Sequence, residues 1–556
     1  MTAEVVSATP LYHSPWGLLD FQARGVAEAY FAPSKLANWD TGLGKTHLDM
    51  ATAAMLFEDD LIDVHLLVCE KTKVAEWVAD FERFTSLRVV DYGGKNIGID
   101  HRRKILAALV SGERTQIKRG HRKGEPGLWV DRPQVLIATY ETFRNDLVKS
   151  VVKVGARGRR TKVYEANLLT EALRGRRVLI GYDEMTKVGD RGSGLHKAYD
   201  LLDREVTKSG GTIRQLGLTA TSVARDPESY YNLGRLLDKA VVGTVASFEQ
   251  DHVMYRDNFG RATRFKKLTL EDRTEPWVTP LAEKMRPLLM RKRKTDDDVR
   301  EQFPEVSERF VPVVLTKEHQ EFYDAVAEMM AEAEDDHTTL GVARMLAGHP
   351  AALLTSQGKW AQAIVAEVGE GFLRSLEVAK AEVLAARLRP IALDQGDQAV
   401  VFTFFGPSMV PLLAQRLRDE GISVAEHYGA GMSPEARERA KETFRTGNAA
   451  VLLSSDAGAR GINLPQASYA FEYEGALTHS MRTQRLNRIH RLDSKSVFGR
   501  DRVYFQTLVA QGTVEQPLLD NTLTRNLWSD KLLGDEEAEG TFISAEMRRR
   551  LLRFKG

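Results

Sequence analysis

The sequence predicts an α/β protein made of two tandem domains, each organised around a parallel β-sheet. Three observations predict it. At 556 residues the chain is too long for a single hydrophobic core. Short continuous apolar runs such as VHLLVC (64–69) and AVVFTFF (399–405) alternate with helix-compatible stretches, as expected of strands covered on both faces. These runs fall into two series, separated by a long region in which the strand rhythm fades.

In the first series, strands are expected at 64–70, 88–92, 134–140, 177–182 and 213–219. In the second they are expected at 398–405, 423–428, 449–454, 469–473 and 503–509. Residues 223–392 read as helical elaborations plus the crossing between domains, with 318–334 and 341–354 the clearest helices. Two basic, glycine-containing loops at 113–127 and 153–162 interrupt the first domain, followed by Arg174, Arg176 and Arg177. They read equally as solvated loops or as contacts to a phosphate backbone. The basic stretch 547–555 reads as a frayed helix.

Composition narrows the class. Apolar residues make up 43% and charged residues 28%, an ordinary globular balance. Formal net charge is +1, so any nucleic-acid binding must rest on local patches. The single cysteine, Cys69, excludes an intramolecular disulfide and a Cys-rich zinc site. It reads as a small core residue in a strand and fits a reducing compartment. Residues 1–20 lack the charged and apolar pattern of a secretion signal. No apolar run approaches the ~20 residues of a membrane span. The best stretch, 399–413, is interrupted by Gly406, Pro407 and Pro411. A cytoplasmic location (the host-cell cytoplasm for a viral chain) with no membrane partner is therefore expected. No solenoid repeat, zinc-finger pattern or appended nuclease or reader module is visible, and no protein partner is indicated.

The chemistry begins at Trp39-Asp40-Thr41-Gly42-Leu43-Gly44-Lys45-Thr46, which reads as a phosphate-binding loop opening a helix at 47–55. Glycines let backbone N–H groups close around phosphate oxygens, and the helix N-terminus adds positive potential. Lys45 can reach the terminal phosphates and Thr46 can hold Mg²⁺ through its hydroxyl. The strict pattern asks for glycine where Trp39 stands. About 140 residues further on, the apolar run 178–182 leads into Asp183-Glu184. A strand ending in two carboxylates places them at the sheet edge beside the loop. Asp183 can bind Mg²⁺ through water, and Glu184 can accept a proton from attacking water. Leu218-Thr219-Ala220-Thr221-Ser222 offers hydroxyls after a strand that can relay the state of the acidic pair to a nucleic-acid groove. In the other half, Arg488 and Arg491 are three residues apart, a spacing that on a helix puts both guanidinium groups on one face. Two fixed cations can neutralise charge as a γ-phosphate leaves. His490 beside them reads as a packing or backbone contact.

On these residues the chain resembles the superfamily 2 helicase-like ATPases, and within them the Swi/Snf-type DNA translocases, from about residue 19 to 515. Phe21-Gln22 with Gly25-Val26 is similar to the adenine-reading glutamine motif. Residues 40–46 resemble motif I, 66–84 with Trp77 motif Ia, and 136–141 (LIATYE) the strand-end motif that touches the DNA backbone. Residues 183–186 resemble motif II and 218–222 motif III. The segment 286–292 with Phe303-Pro304 is similar to the family's inter-lobe segment, and Gln320, Tyr323 and His349-Pro350 come after it at intervals the family shares. Residues 455–464 resemble motif V, Gln484, Arg488 and Arg491 resemble motif VI, and 512–515 the element that closes the second lobe.

The resemblance implies two tandem RecA-like lobes with helical insertions between them. Lobe one spans 1–295 with an insertion at about 223–295, lobe two spans 296–530 with an insertion at about 318–390, and 531–556 forms a tail. It implies ATP and Mg²⁺ as ligands. Gln22, Thr41, Gly42, Leu43, Gly44, Lys45, Thr46, Gly461 and Asn463 are expected at the nucleotide, with Thr46 and Asp183 at the metal. Lys45, Asp183, Glu184, Arg488 and Arg491 are expected to carry hydrolysis. Lys71, Thr139, Tyr140, Thr219, Thr221 and Ser455 are expected on nucleic acid, with sequence-nonspecific duplex DNA the favoured partner.

The departures are Thr186 where the family has His, Leu477 where it has Trp, Asp456 where a basic or neutral residue is common, and Ser222 where it has Pro. None removes a residue that phosphate transfer requires. The expected activity is an ATP-driven translocase on duplex DNA, its two lobes closing over nucleotide. A strand-separating DNA or RNA helicase and a DNA-binding scaffold without turnover are the rivals. Residues 473–481 leave little room for a strand-separating wedge, and Thr186 keeps the scaffold reading open.

Overall fold

A computed structural model gives the architecture. It describes residues 10–14, 17–94, 97–117, 128–154, 160–188, 194–220, 227–256, 262–265, 278–331, 336–429, 431–456, 462–477 and 479–519. The chain divides into two compact units at Asp298 and Val299.

The first unit is built on seven strands: β1 (Ser34–Trp39), β2 (Val64–Cys69), β3 (Val89–Asp91), β4 (Val135–Thr139), β5 (Arg177–Asp183), β6 (Thr212–Thr219) and β7 (Leu289–Lys292). Their order is β7-β1-β6-β5-β2-β4-β3, and every pairing is parallel. All strand carboxyl ends therefore share one edge, where ligands bind in such sheets. Strands β2 and β4 are buried at every position, because helices cover both faces.

The second unit has six strands: β8 (Glu305–Val313), β9 (Ala399–Thr403), β10 (Val424–His427), β11 (Val451–Ser455), β12 (Tyr469–Glu472) and β13 (Arg502–Ala510). Their order is β8-β13-β12-β9-β11-β10, again all parallel. Apolar clusters pack on the two faces of the sheet, one around Leu384, Leu413 and Phe471 and one around Phe402, Phe444 and Phe505. A third cluster joins the helices Lys317–Ala331 and Asp336–Gly348 to Ala510 at the end of β13.

All ten expected strands are present within a few residues. Three sheet strands go beyond the sequence expectation: β1, β7 and β8. The last two lie in 223–392, which the sequence predicts as helical and which is mostly so. The basic loops also differ from expectation. They are arms of antiparallel ribbons, Thr115–Ile117 with Leu128–Val130 and Val148–Val154 with Arg160–Ala166. Their tips lie outside the described residues, as do 547–555 and the expected tail from 531. Among the described residues no helix is long and apolar enough to cross a membrane.

Candidate nucleotide and nucleic-acid site

The phosphate loop follows β1 and opens the helix Lys45–Glu58. Gly42 and Gly44 both sit in the left-handed region, at φ 92° and 86°. At Gly44 a Cβ would also collide with Nε2 of Gln22. That contact explains Gln22. Its Oε1 accepts the backbone N–H of Leu19 at 2.9 Å, and its Nε2 donates to the carbonyl of Leu43 at 3.0 Å. The buried carboxamide is thus engaged with the loop itself. The resemblance implies that Gln22 reads adenine; its observed contacts are to the glycine loop and to Leu19. The side chain of Leu43 is fully buried, so its place is in the core and only its backbone faces the loop.

Trp39 replaces the first glycine of the strict pattern, and the neighbouring helix makes room for it. A Cβ at Gly25, in the helix Asp20–Phe31, would collide with the Trp39 ring. Phe21 packs on the same ring with centroids 5.6 Å apart. Asp40 is tied to the β7 segment: Arg291 lies 3.3 Å from its Oδ1, and the N–H of Lys294 donates to its Oδ2 at 3.0 Å. The segment expected between lobes is therefore an edge strand that braces the loop. Lys45 folds back, donating to the carbonyls of Trp39 at 2.7 Å and Asp40 at 3.2 Å. Thr41 lies in the loop turn, and Thr46 is the second residue of the helix.

Register places the other motifs along the same edge. Asn38 of β1 pairs with Thr219 of β6, and Leu218 of β6 pairs with Asp183 of β5. Thr219 is fully buried, while Thr221 lies outside the described residues. The Oδ2 of Asp183 accepts the indole N–H of Trp77 at 3.0 Å, and its backbone carbonyl accepts the Tyr140 hydroxyl at 2.7 Å. Burial pushes the Asp183 carboxyl up to about 6, with Glu184 adding to the rise and Trp77, Lys73 and Lys45 opposing it. Among the described residues Asp183 forms no ion pair. A half-buried carboxylate that makes no ion pair, on the sheet edge that also carries a loop-helix hydroxyl, suits a divalent cation, so Asp183 and Thr46 fit the expected Mg²⁺. Glu184 adopts φ 56°, a left-handed conformation uncommon for a non-glycine residue. Thr186 lies in the short 3₁₀ turn Met185–Val188.

Lys71 is exposed in the turn after β2. Thr139 and Tyr140, expected on nucleic acid, both make hydrogen bonds within the first unit. Thr139 is buried and caps the helix Tyr140–Leu147, its Oγ1 accepting the N–H of Thr142 at 3.1 Å. The Tyr140 hydroxyl is directed to Asp183.

In the second unit Ser455 is buried at the carboxyl end of β11, paired with Thr403. Residues 457–461, including Gly461, lie outside the described residues. Arg488 and Arg491 are not on one helix. The helix His479–Leu486 ends before them, Asn487–Ile489 form a turn, and Arg491 is the N-cap of Leu492–Ser496. The two are nevertheless brought to the same place. Arg488 donates to the carbonyl of Ile462 at 3.3 Å, and Arg491 donates to the Asn463 side chain. Motif VI and the Asn463 of motif V are thus joined directly. His490 is a packing residue, contacting the carbonyl of Pro304 at 3.0 Å and the Phe303 ring.

Arg485, absent from the site residues expected on sequence, organises this region. Its Nε and Nη2 donate to the two carboxylate oxygens of Asp456, each at 2.7 Å. Its Nη1 donates to Glu472 at 2.9 Å and to the carbonyl of Glu474 at 2.8 Å. The unusual acid at 456 is thereby accounted for: it neutralises a buried guanidinium. The departure to Asp at that position is the one signal in the sequence that could have pointed to a new cation. The closing element is held similarly. Lys380 pairs with Glu515 at 2.5 Å, both buried, and the N–H of Val514 donates to the Tyr323 hydroxyl at 2.9 Å.

Two parallel-sheet lobes, one carrying a glycine loop beside a strand-end Asp-Glu pair and the other a buried arginine motif, define the class of helicase-like ATPase cores. Comparison with known proteins makes this specific. Residues 36–356 match the SNF2-related domain, and residues 379–493 match the helicase conserved C-terminal domain. The chain belongs to the SNF2-related, Swi/Snf-type family of superfamily 2 ATPases. It is 22% identical over 456 residues to the DNA repair and recombination protein RDH54 of Saccharomyces cerevisiae, covering 75% of this chain and 44% of that one. It is 23% identical over 294 residues to the CHD3-type chromatin-remodeling factor CHR7 of Arabidopsis thaliana, covering 51% and 23%. The chain thus spans less than half the length of the curated relatives it matches. Its fold is similar to that of the Pyrococcus furiosus Hef helicase domain, with TM-score 0.52, 16% identity, and coverage of 90% of this chain and 97% of that one.

Proposed function

We propose that this protein is a DNA-stimulated ATPase that translocates along duplex DNA. The observation that carries the reading is the shared carboxyl edge of the first sheet. It sets the left-handed Gly42 and Gly44 loop with Lys45 and Thr46 two strands from Asp183 and Glu184. Backbone N–H groups of the loop cradle the phosphates of ATP, and Lys45 swings from the carbonyls of Trp39 and Asp40 to the terminal phosphates. Thr46 and Asp183 would hold Mg²⁺, which would supply neutralisation of phosphate charge. Glu184 takes the proton from the attacking water. Arg488 and Arg491, fixed by Ile462 and Asn463, stabilise the charge that develops as the γ-phosphate leaves. Because these groups come from different lobes, hydrolysis waits for lobe closure, which bound DNA favours. Contacts to phosphates carry little sequence information, so binding is nonspecific and weakens steeply with salt.

The test is the rate of phosphate release with double-stranded DNA, single-stranded DNA and RNA as separate activators. Duplex DNA is expected to activate most. Strongest activation by single strands or RNA, with strand displacement in place of triplex displacement, would favour a strand-separating helicase. DNA binding with no turnover under any activator would favour a scaffold.

A further inference from the structure

Glu184, one of the two carboxylates of the Asp183-Glu184 pair, is held in the left-handed region at φ 56°. A glutamate gains nothing from this conformation by itself, so its surroundings must impose it. The angle φ of Glu184 depends on how the peptide between Asp183 and Glu184 is turned. The oxygen of that peptide is the acceptor of the Tyr140 hydroxyl at 2.7 Å. On the far side, the carbonyl of Glu184 accepts the N–H of Lys187 at 3.1 Å, closing the 3₁₀ turn. Two hydrogen bonds therefore fix the peptide planes on both sides of the Glu184 Cα. With both planes fixed, the direction in which the carboxylate leaves the backbone is fixed too.

Tyr140 is suited to this work. Its hydroxyl donates directly to the Asp183 carbonyl at 2.7 Å. It is the first residue of the helix Tyr140–Leu147, which Thr139 caps at the end of β4. A shift of that strand end would therefore reach Glu184 through one hydrogen bond.

We infer that Tyr140 is a positioning residue for Glu184, locking the peptide that aims the general base. The inference deepens the proposed ATPase reading and rests on it.

The experiment uses the full chain and three variants, Tyr140→Phe, Glu184→Gln and the double variant, in single-turnover hydrolysis at saturating ATP and duplex DNA, well below each melting temperature. Tyr140→Phe is expected to lower the rate about tenfold while ATP affinity and DNA affinity stay within about twofold. In the Glu184→Gln background the same change is expected to have no further effect, because no base remains to be aimed. A merely structural tyrosine would lower the rate equally in both backgrounds and would weaken ATP binding as well. Equal losses in the two backgrounds overturn the inference. So does a loss of DNA affinity with the rate at saturating DNA intact, which would favour the backbone-contact assignment. If the unaltered protein hydrolyses no ATP under any activator, the ATPase reading itself fails. Wild-type hydrolysis that Tyr140→Phe leaves unchanged defeats only the inference.

Discussion

The two lobes hold their functional residues by different physics. In lobe one the site is made of backbone. Left-handed glycines, a carboxamide wedged under the loop and an edge strand gripping Asp40 set the shape. In lobe two the arginine motif rests on buried charge: Arg485 bridges Asp456 and Glu472, and Lys380 pairs with Glu515. A backbone-built site can recognise an anion with little side-chain rearrangement. A charge-built site is sensitive to the loss of any one partner, since the remaining ion stays buried. Lobe one thus offers a backbone cradle suited to an anion, and lobe two holds its arginine segment through buried ion pairs.

Four outcomes test that contrast. The largest effect is expected at Lys45. Lys45→Ala should lower DNA-stimulated turnover by about a thousandfold, measured as phosphate release, since it removes the cation on the terminal phosphates. Full activity in this variant would remove the loop from the mechanism. Next, Arg491→Ala should lower turnover by about a hundredfold while ATP affinity changes by less than about threefold. Equal losses of affinity and rate would make Arg491 a binding or structural residue, and the contrast between lobes would blur.

The third outcome concerns stability. Arg485→Ala leaves Asp456 without its cation and Glu472 with only the longer Arg482 contact at 3.8 Å, and should destabilise the second lobe by about 3–5 kcal/mol in denaturant unfolding. Gly25→Ala, which presses on the Trp39 ring in lobe one, should cost about 1–3 kcal/mol. A larger cost at Gly25 than at Arg485 would contradict the charge-built description of lobe two.

The smallest effect is in pH dependence. The folded-state carboxyl of Asp183 is raised to about 6 by burial. A raised carboxyl contributes stability to the metal-free protein that is fully present below its unfolded value and is lost as pH rises through about 6. Metal binding has the opposite sign, because it needs the carboxylate. Turnover at limiting Mg²⁺ should therefore fall as pH drops through about 6, and extra Mg²⁺ should restore it. An acid limb that does not move with Mg²⁺ would assign the titration to another group.

Much of the fold is readable in the sequence. Interior strands such as β2, β4, β9 and β11 announce themselves as unbroken apolar runs because both faces are covered. Strands β7 and β8 do not, for they are edges: Leu289–Lys292 carries two basic residues, and Glu305–Val313 exposes most of its length. Strand β1 hides because Lys35 and Asn38 interrupt it, although Asn38 is fully buried. Motifs I and II are readable since their chemistry is local to one strand end. Spacing pairs Arg488 with Arg491, but for the wrong reason. The helix ends at Leu486, and a turn brings the two guanidiniums to Ile462 and Asn463. The roles of Gln22, Tyr140 and Trp77 depend on contacts between residues 21 to 106 positions apart, which no local pattern contains.

The most direct test of the split site is steady-state phosphate release by the unaltered protein at saturating ATP and Mg²⁺, with and without duplex DNA. Slow release alone and at least about a tenfold rise with DNA are expected if, as proposed, bound DNA favours the hydrolysing state. Hydrolysis that is equally fast without DNA would contradict the split-site mechanism.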